Sequence, residues 1–193
     1  MWEAQLTSGL VFVLVLAAAL IAVIVMYNSL VGKRQLAGNG WSDIDVQLKR
    51  RADLVPMLVN TVKGYAAHER ALFEEIAERR TKAISAGDDP AARAAAEGAL
   101  ARPVGRLMAI AESYPDLKAS ENFLQLQREL AETEDKIEMA RRFYNGAVRE
   151  LNTLVASVPS NLVANAFGFK ERQYFEIADS DRATPRVDMG GAR

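Results

Sequence analysis

The sequence predicts an all-α protein: an N-terminal transmembrane helix followed by an elongated antiparallel helical bundle with long coiled-coil-like helices. Three observations carry this expectation. Residues Leu10–Met26 read LVFVLVLAAALIAVIVM, an apolar run without a break. Two later segments repeat apolar residues at alternating spacings of three and four, the signature of a helical seam. No stretch alternates apolar and polar residues with the period of a strand. The expected divisions are a short extracytoplasmic N-terminus at residues 1–5, a transmembrane helix at 6–27, a bundle at 28–178 and a disordered tail at 179–193.

The anchor comes first. Taken from Leu6 to Tyr27, the span covers about 33 Å at helical rise, enough for a bilayer core. Trp2 and Tyr27 lie near its ends, where amphipathic rings favour the membrane interface. A cleaved signal peptide needs a basic stretch before a shorter apolar core. Here the only charged side chain before the run is Glu3. No basic residue precedes the span, whereas Lys33 and Arg34 follow it closely. The positive-inside rule then sets the N-terminus outside and the bundle in the cytoplasm. Lys33 and Arg34 are the residues placed to meet anionic lipid.

The first long seam follows Gly38-Asn39-Gly40, a weak point for any helix leaving the membrane. It runs through Trp41, Ile44, Leu48, Ala52, Val55, Val59, Val62, Ala66, Glu69, Phe73 and Ile76. Pro56 should kink this helix, and Gly64 is a second weak point. A loop is expected at Ala86–Asp89, with Asp89 as N-cap and Pro90 at the first helical position. The alanine-rich helix after it carries a stripe of Leu100, Val104, Leu107, Ala111 and Tyr114; Pro103 should interrupt it and Pro115 end it.

Ser120 can cap a third helix. Its seam runs without a fault from Phe123 through Leu130, Ile137, Tyr144 and Leu151 to Val158, and Pro159 stops it. A short helix over Asn161–Phe167 should end before Gly168. The second helix is shorter than the seams beside it. Trp41, Ile44 and Leu48 are therefore left as a candidate partner-docking seam, unless the first helix bends near Pro56 or Gly64. Glu69, polar on an apolar seam, is the candidate buried polar residue, expected to fix register through an ion pair.

Composition narrows the chemistry. Lys and Arg total 24 against 25 for Asp and Glu, for a net charge of −1. That balance argues against nucleic acid, whose binding needs a net basic surface. With no cysteine there is no disulfide and no thiolate nucleophile. The one histidine, His68, lies in HERAL, which is not a zinc-binding HExxH. A di-iron bundle needs two Glu-x-x-His pairs, and one histidine cannot supply them. The cluster Lys49-Arg50-Arg51 is neutralised by Asp43, Asp45 and Asp53, with Asp45 and Lys49 a favourable i,i+4 pair. It reads as a solvated helix face, or as a protein-docking surface. On a straight helix it would stand roughly 33 Å beyond Tyr27, several Debye lengths of about 8 Å from the bilayer.

Several blocks carry a resemblance. IDVQLKRRADLVP (44–56), VKGYAAHE (62–69), AESYPDLKASENFLQLQRELAETEDKI (111–137), ARRFYN (140–145) and NLVANAFGFKERQYF (161–175) together resemble the LemA family of bacterial membrane proteins. They keep the family order behind one apolar helix. Met57 stands where the family usually has Asn. The resemblance implies a long helical bundle on a single-pass anchor, often N-out. It implies no biochemical activity. One relative of the family takes part in forming magnetosome membranes, and others are encoded near a membrane metalloprotease.

The expected function is a non-enzymatic, membrane-anchored scaffold or adaptor at the cytoplasmic face, without cofactor or metal. Its partners are membrane lipid, and either a second copy of the chain or another membrane protein. The alternatives are a carboxylate-based metal-dependent enzyme in the bundle, and membrane remodelling by oligomerisation.

Overall fold

The structure is a computed structural model that describes residues 2–177, without the side chains of residues 3–8. The expected tail at 179–193 lies outside the described residues. Six helices and no strand occur among those described: α1 (Trp2–Lys63), α2 (Arg70–Ser85), α3 (Pro90–Ala111), α4 (Pro115–Lys118), α5 (Glu121–Ala156) and α6 (Ser160–Ala166). The chain divides into two compact units. One joins the residues up to Leu54 with Gln125–Tyr174; the other joins Val55–Leu124 with the chain from Phe175.

In the first unit α1 and α5 run antiparallel, as three contacts fix. Lys33 meets Glu150 at 2.5 Å, the Trp41 ring lies 5.6 Å from that of Tyr144, and Arg51 meets Glu134 at 2.8 Å. The buried face of α1 begins at Leu30 and steps by seven through Ala37, Ile44 and Arg51. That is the seam periodicity of paired helices. From α5 the opposing face supplies Leu130, Ile137, Tyr144, Ala147 and Leu151, all buried. Burying each such Leu or Ile stabilises by about 1.5–3 kcal/mol.

Gly40 sits where the two helices approach closely. A Cβ there would lie 3.0 Å from the Tyr144 Cα and 3.0 Å from Phe143 Cδ1. Gly38, Asn39 and Gly40 do not break the helix; Gly40 admits the partner backbone instead.

After α5 the chain turns and α6 folds back. Val163, Ala164 and Phe169 join Leu30 and Leu151 in one core cluster, with Met26 packed against it. Ser160 helps hold the turn, its hydroxyl donating to the carbonyls of Leu154 (2.7 Å) and Ser157 (3.0 Å). Gly168 has φ +72°, a left-handed conformation that suits glycine just past a helix end. The segment beyond it has no regular structure and is held by α5. The Asn152 side chain donates to the Arg172 carbonyl and accepts from its N–H, both at 2.9 Å. The Tyr144 hydroxyl donates to the Gln173 carbonyl at 2.8 Å. Residues 169–174 thus form a strap pinned to α5 through the backbone of Arg172 and Gln173.

The second unit takes the end of α1 together with α2, α3 and α4. The seam expected as continuous through residue 76 is broken. α1 passes through Pro56, ends at Lys63 just before Gly64, and α2 starts only at Arg70. The turn between α2 and α3 follows expectation. Gly87 takes φ +72°, the Asp89 side chain accepts from the Ala91 N–H at 3.2 Å, and Pro90 opens α3. Pro103 does not interrupt α3; it lies buried inside a helix of 22 residues. Pro115 opens α4 rather than merely ending α3.

The close approach at Gly40 sets a prediction. Gly40→Ala should destabilise the chain by about 1–3 kcal/mol, because the atoms it meets include backbone. Gly38→Ala should stabilise it by about 0.5–1 kcal/mol, since nothing lies within 4 Å of that Cβ and alanine favours helix. Thermal melts of the detergent-solubilised chain, followed by helical circular dichroism, check both signs.

Candidate functional site

The charged stretch around residues 41–56 is sorted by burial. Lys49 is exposed and pairs with Asp45 at 2.6 Å, the expected i,i+4 contact. Arg51 is different. Only 4% of it is exposed, and its guanidinium meets Glu134 of α5. The reading of the whole cluster as a solvated face is corrected at this residue. Arg51 lies one heptad beyond Ile44, so the periodicity that buries Ile44 buries Arg51.

The docking seam is corrected for the same reason. Ile44 and Leu48 are buried inside the first unit, at 0% and 1% exposure, and Trp41 is half-buried against Tyr144. α5 lies along this face, between its contacts at Trp41 and Arg51. The face was expected to lack an internal partner because α3 is too short to cover it. The longer α5 was available all along.

Glu69 is not a buried polar residue. It is half-exposed, stands at the N-cap of α2, and makes no side-chain capping bond. The break at Gly64 removes it from the seam. The buried ion pair of the second unit is Arg93–Glu97, an i,i+4 contact at 3.1 Å with side chains 8% and 2% exposed. Sequence reasoning missed it because an i,i+4 Arg–Glu pair on an alanine-rich helix looks like an ordinary surface pair.

Lys33 and Arg34 do follow the apolar span, but protein groups also engage them. Lys33 pairs with Glu150, and the Arg34 guanidinium lies 5.0 Å from the centre of the Phe169 ring. The Lys33 hydrogen bond, then its charge, holds the Glu150 carboxyl below its ordinary value. The pair therefore contributes above the ordinary carboxylate pKa and is lost as pH falls through the lowered one. Burial pushes the Tyr144 phenol up, against the opposing charge of Arg172.

Tyr27 completes this end of the first unit. Its ring lies 4.8 Å from that of Phe167 and 5.8 Å from that of Phe169, both edge-on. Such pairs add about 0.5–1.5 kcal/mol beyond their burial. Phe167 and Phe169 thus hold the end of α6 and the turn after it against the end of the apolar span.

Open clefts occur on the second unit. One, of about 490 Å³, is lined by Val59, Lys63, Arg70, Phe73 and Glu74 among others. Another, of about 340 Å³, has Glu75, Arg79, Arg102 and Arg106 on its walls, with Arg106 paired to Glu75. His68 is exposed. Among the described residues no three His, Asp or Glu side chains gather closely enough to hold a metal.

Burial predicts unequal roles for neighbouring cations. Arg51→Ala should cost about 2–3 kcal/mol, since it empties a buried site, removes the bond to the half-exposed Glu134 and leaves a cavity. Lys49→Ala should cost less than about 0.5 kcal/mol. Urea midpoints of the two variants, compared with the parent chain in one detergent, check the contrast.

Magnetosome protein MamQ 2 of Paramagnetospirillum magneticum is 26% identical, over 91% of this chain and 75% of its own length. Magnetosome protein MamQ of Magnetospirillum gryphiswaldense matches to the same extent. Protein LemA of Metamycoplasma hominis is 26% identical, over 80% of this chain and 71% of its own length. The family description "LemA family" matches residues 40–189, most of the chain beyond the apolar span. One helix apolar enough to cross a bilayer, with these relatives, makes this a membrane-associated protein, and the chain belongs to the LemA family.

Proposed function

We propose that the protein is a non-enzymatic, single-pass scaffold or adaptor, with its N-terminus outside and its helical units at the cytoplasmic face. One observation carries this reading. α1 is a single helix from Trp2 to Lys63, so the apolar span and the packed part of α1 are one element without a linker. A helix of this kind transmits position directly from the membrane to the residues packed on it, as a scaffold requires. The basic pair Lys33-Arg34, on one side of the span only, supports the orientation.

A partner needs a surface that the chain leaves open. With Ile44 and Leu48 buried, the candidates in the first unit are Val46 on α1 and the pair Met139 and Phe143 on α5, all exposed. Met139 and Phe143 are four residues apart and share a helix face. Exposed aromatic and methionine side chains are over-represented where proteins meet. The metal-dependent alternative has less behind it, since the most buried carboxylate, Glu97, is already bound by Arg93.

The likeness to magnetosome proteins favours a second reading, in which copies of this chain assemble on a membrane. A photo-crosslinking amino acid at Val46, Met139 or Phe143, used in intact membranes and read by mass spectrometry, separates the two. Crosslinks to a different protein are expected for an adaptor. Crosslinks to a second copy would transfer support to self-assembly. Crosslinks confined to the same chain at all three sites would sink both.

A further inference from the structure

Two uncharged stretches lie side by side in the first unit. No Asp, Glu, Lys or Arg occurs from Ala4 to Gly32, and none from Leu151 to Phe169. The first is the apolar span and its exit. The second is the last turns of α5, all of α6 and the turn after it. Their borders coincide. Lys33 ends the first, Glu150 precedes the second, and these two residues form the ion pair. Arg34 stacks on Phe169, the last residue of the second stretch.

From that ion pair both helices advance in the same direction, toward the span. α1 read backward to Tyr27 and α5 read forward to Ala156 each cover about 9 Å. The contacts of Tyr27 with Phe167, and of Met26 with the cluster of Val163 and Ala164, agree with this level. The turn and α6 therefore stand beside the end of the apolar span.

Three large apolar side chains are open here, beside the uncharged and exposed Ser157 and Asn165. Val158 is 79% exposed, Leu162 68% and Phe167 57%. Leu20, Ile21 and Val25, in the apolar span, are each 61% exposed. An apolar patch that continues a membrane-crossing surface, without a charge in it, has the chemistry of a lipid contact rather than a water contact.

We propose that residues Val158–Phe167 form a foot that seats in the headgroup–acyl boundary of the bilayer, with Val158, Leu162 and Phe167 entering the lipid. The depth is bounded on both sides. α6 has only seven residues, and irregular turns flank it on both sides. Irregular turns facing lipid do not sit in hydrocarbon, where each backbone group left unsatisfied would cost several kcal/mol. The wet interface accepts them, and interfacial helices bury their apolar face about 5–10 Å deep there. Lys33 and Arg34 then lie at the level of the lipid phosphates.

The absence of cysteine makes the test direct. Val158→Cys, Leu162→Cys, Phe167→Cys and, on the outer face of α5, Met139→Cys are each made in the full chain. A nitroxide is attached and the protein is reconstituted into phosphatidylcholine–phosphatidylglycerol vesicles. Power saturation then compares collision with oxygen, which concentrates in lipid, and with a water-soluble nickel chelate. At the three foot positions oxygen should dominate; at Met139 the order should reverse. A foot profile equal to that of Met139, or one screened from both reagents as under a protein partner, would overturn the proposal. Helical circular dichroism confirms that each labelled chain is folded. Adding Leu162→Asp and Phe167→Asp to the Val158 label gives a second readout: that label should move from the oxygen-dominated to the nickel-dominated profile while α1 keeps the chain in the vesicle.

Discussion

The approach of α1 and α5 at Gly40 governs the packing of the first unit. With a Cβ at that position the Tyr144 backbone would have to move away. Without one, the Trp41 and Tyr144 rings come together, and Ile44 and Leu48 are buried farther along α1. The Tyr144 hydroxyl then reaches the Gln173 carbonyl, so the strap at 169–174 depends on the same contact. Glycine costs a helix about 1 kcal/mol against alanine. The side chains it allows to pack are each worth about 1.5–3 kcal/mol, so the exchange is favourable.

The burial pattern separates what was legible in the sequence from what was not. The α5 seam was plain because its apolar residues keep one helical phase from Phe123 to Leu151. Burial follows that phase closely, with Leu126 and Ala140 only partly covered. The Asp89–Pro90 start of α3 and the end of α6 before Gly168 were plain because local chemistry decides them. The α1 seam was harder. Its first members, Leu30 and Ala37, follow an apolar span in which every position is apolar and phase is hidden. Anchored at Trp41 instead, the seam assigned Arg51 to solvent and carried Glu69 as a core position. Tertiary packing kept the helix intact across Gly38–Gly40, and a local break ended it at Gly64. Propensity alone cannot rank those two sites.

Charge shows the same division between local and tertiary causes. Asp45–Lys49, Arg70–Glu74 and Glu78–Lys82 are i,i+4 pairs on exposed faces, where solvent screens them. Sequence spacing predicts them well and they decide little. Arg51–Glu134 joins residues distant in sequence, and only the α1–α5 register brings them together. A buried cation of this kind is weak evidence for stability, but removing its partner is costly. It therefore penalises slippage: a shift of one turn would leave the Arg51 guanidinium without Glu134, whereas a shifted leucine would only meet another apolar neighbour.

The apolar span poses a problem that packing within the chain does not solve. Its side chains are apolar all round, and those from Leu10 to Val25 are almost all open. Such a helix has no face that lipid prefers, so it can rotate about its axis and tilt at little cost. A single helix of this type fixes depth but not direction. Contacts on one side remove the degeneracy. The core cluster holds α6 to α1 through Leu30 and Met26, and the Lys33–Glu150 pair holds α5 at the same level. With Val158, Leu162 and Phe167 seated in the interface, tilting α1 away from this side would lift these side chains into water. Each would lose burial worth about 1.5–3 kcal/mol. The second contact thus converts an anchor that sets only height into one that also limits tilt. The face bearing Met139 and Phe143 is then held at one inclination to the membrane.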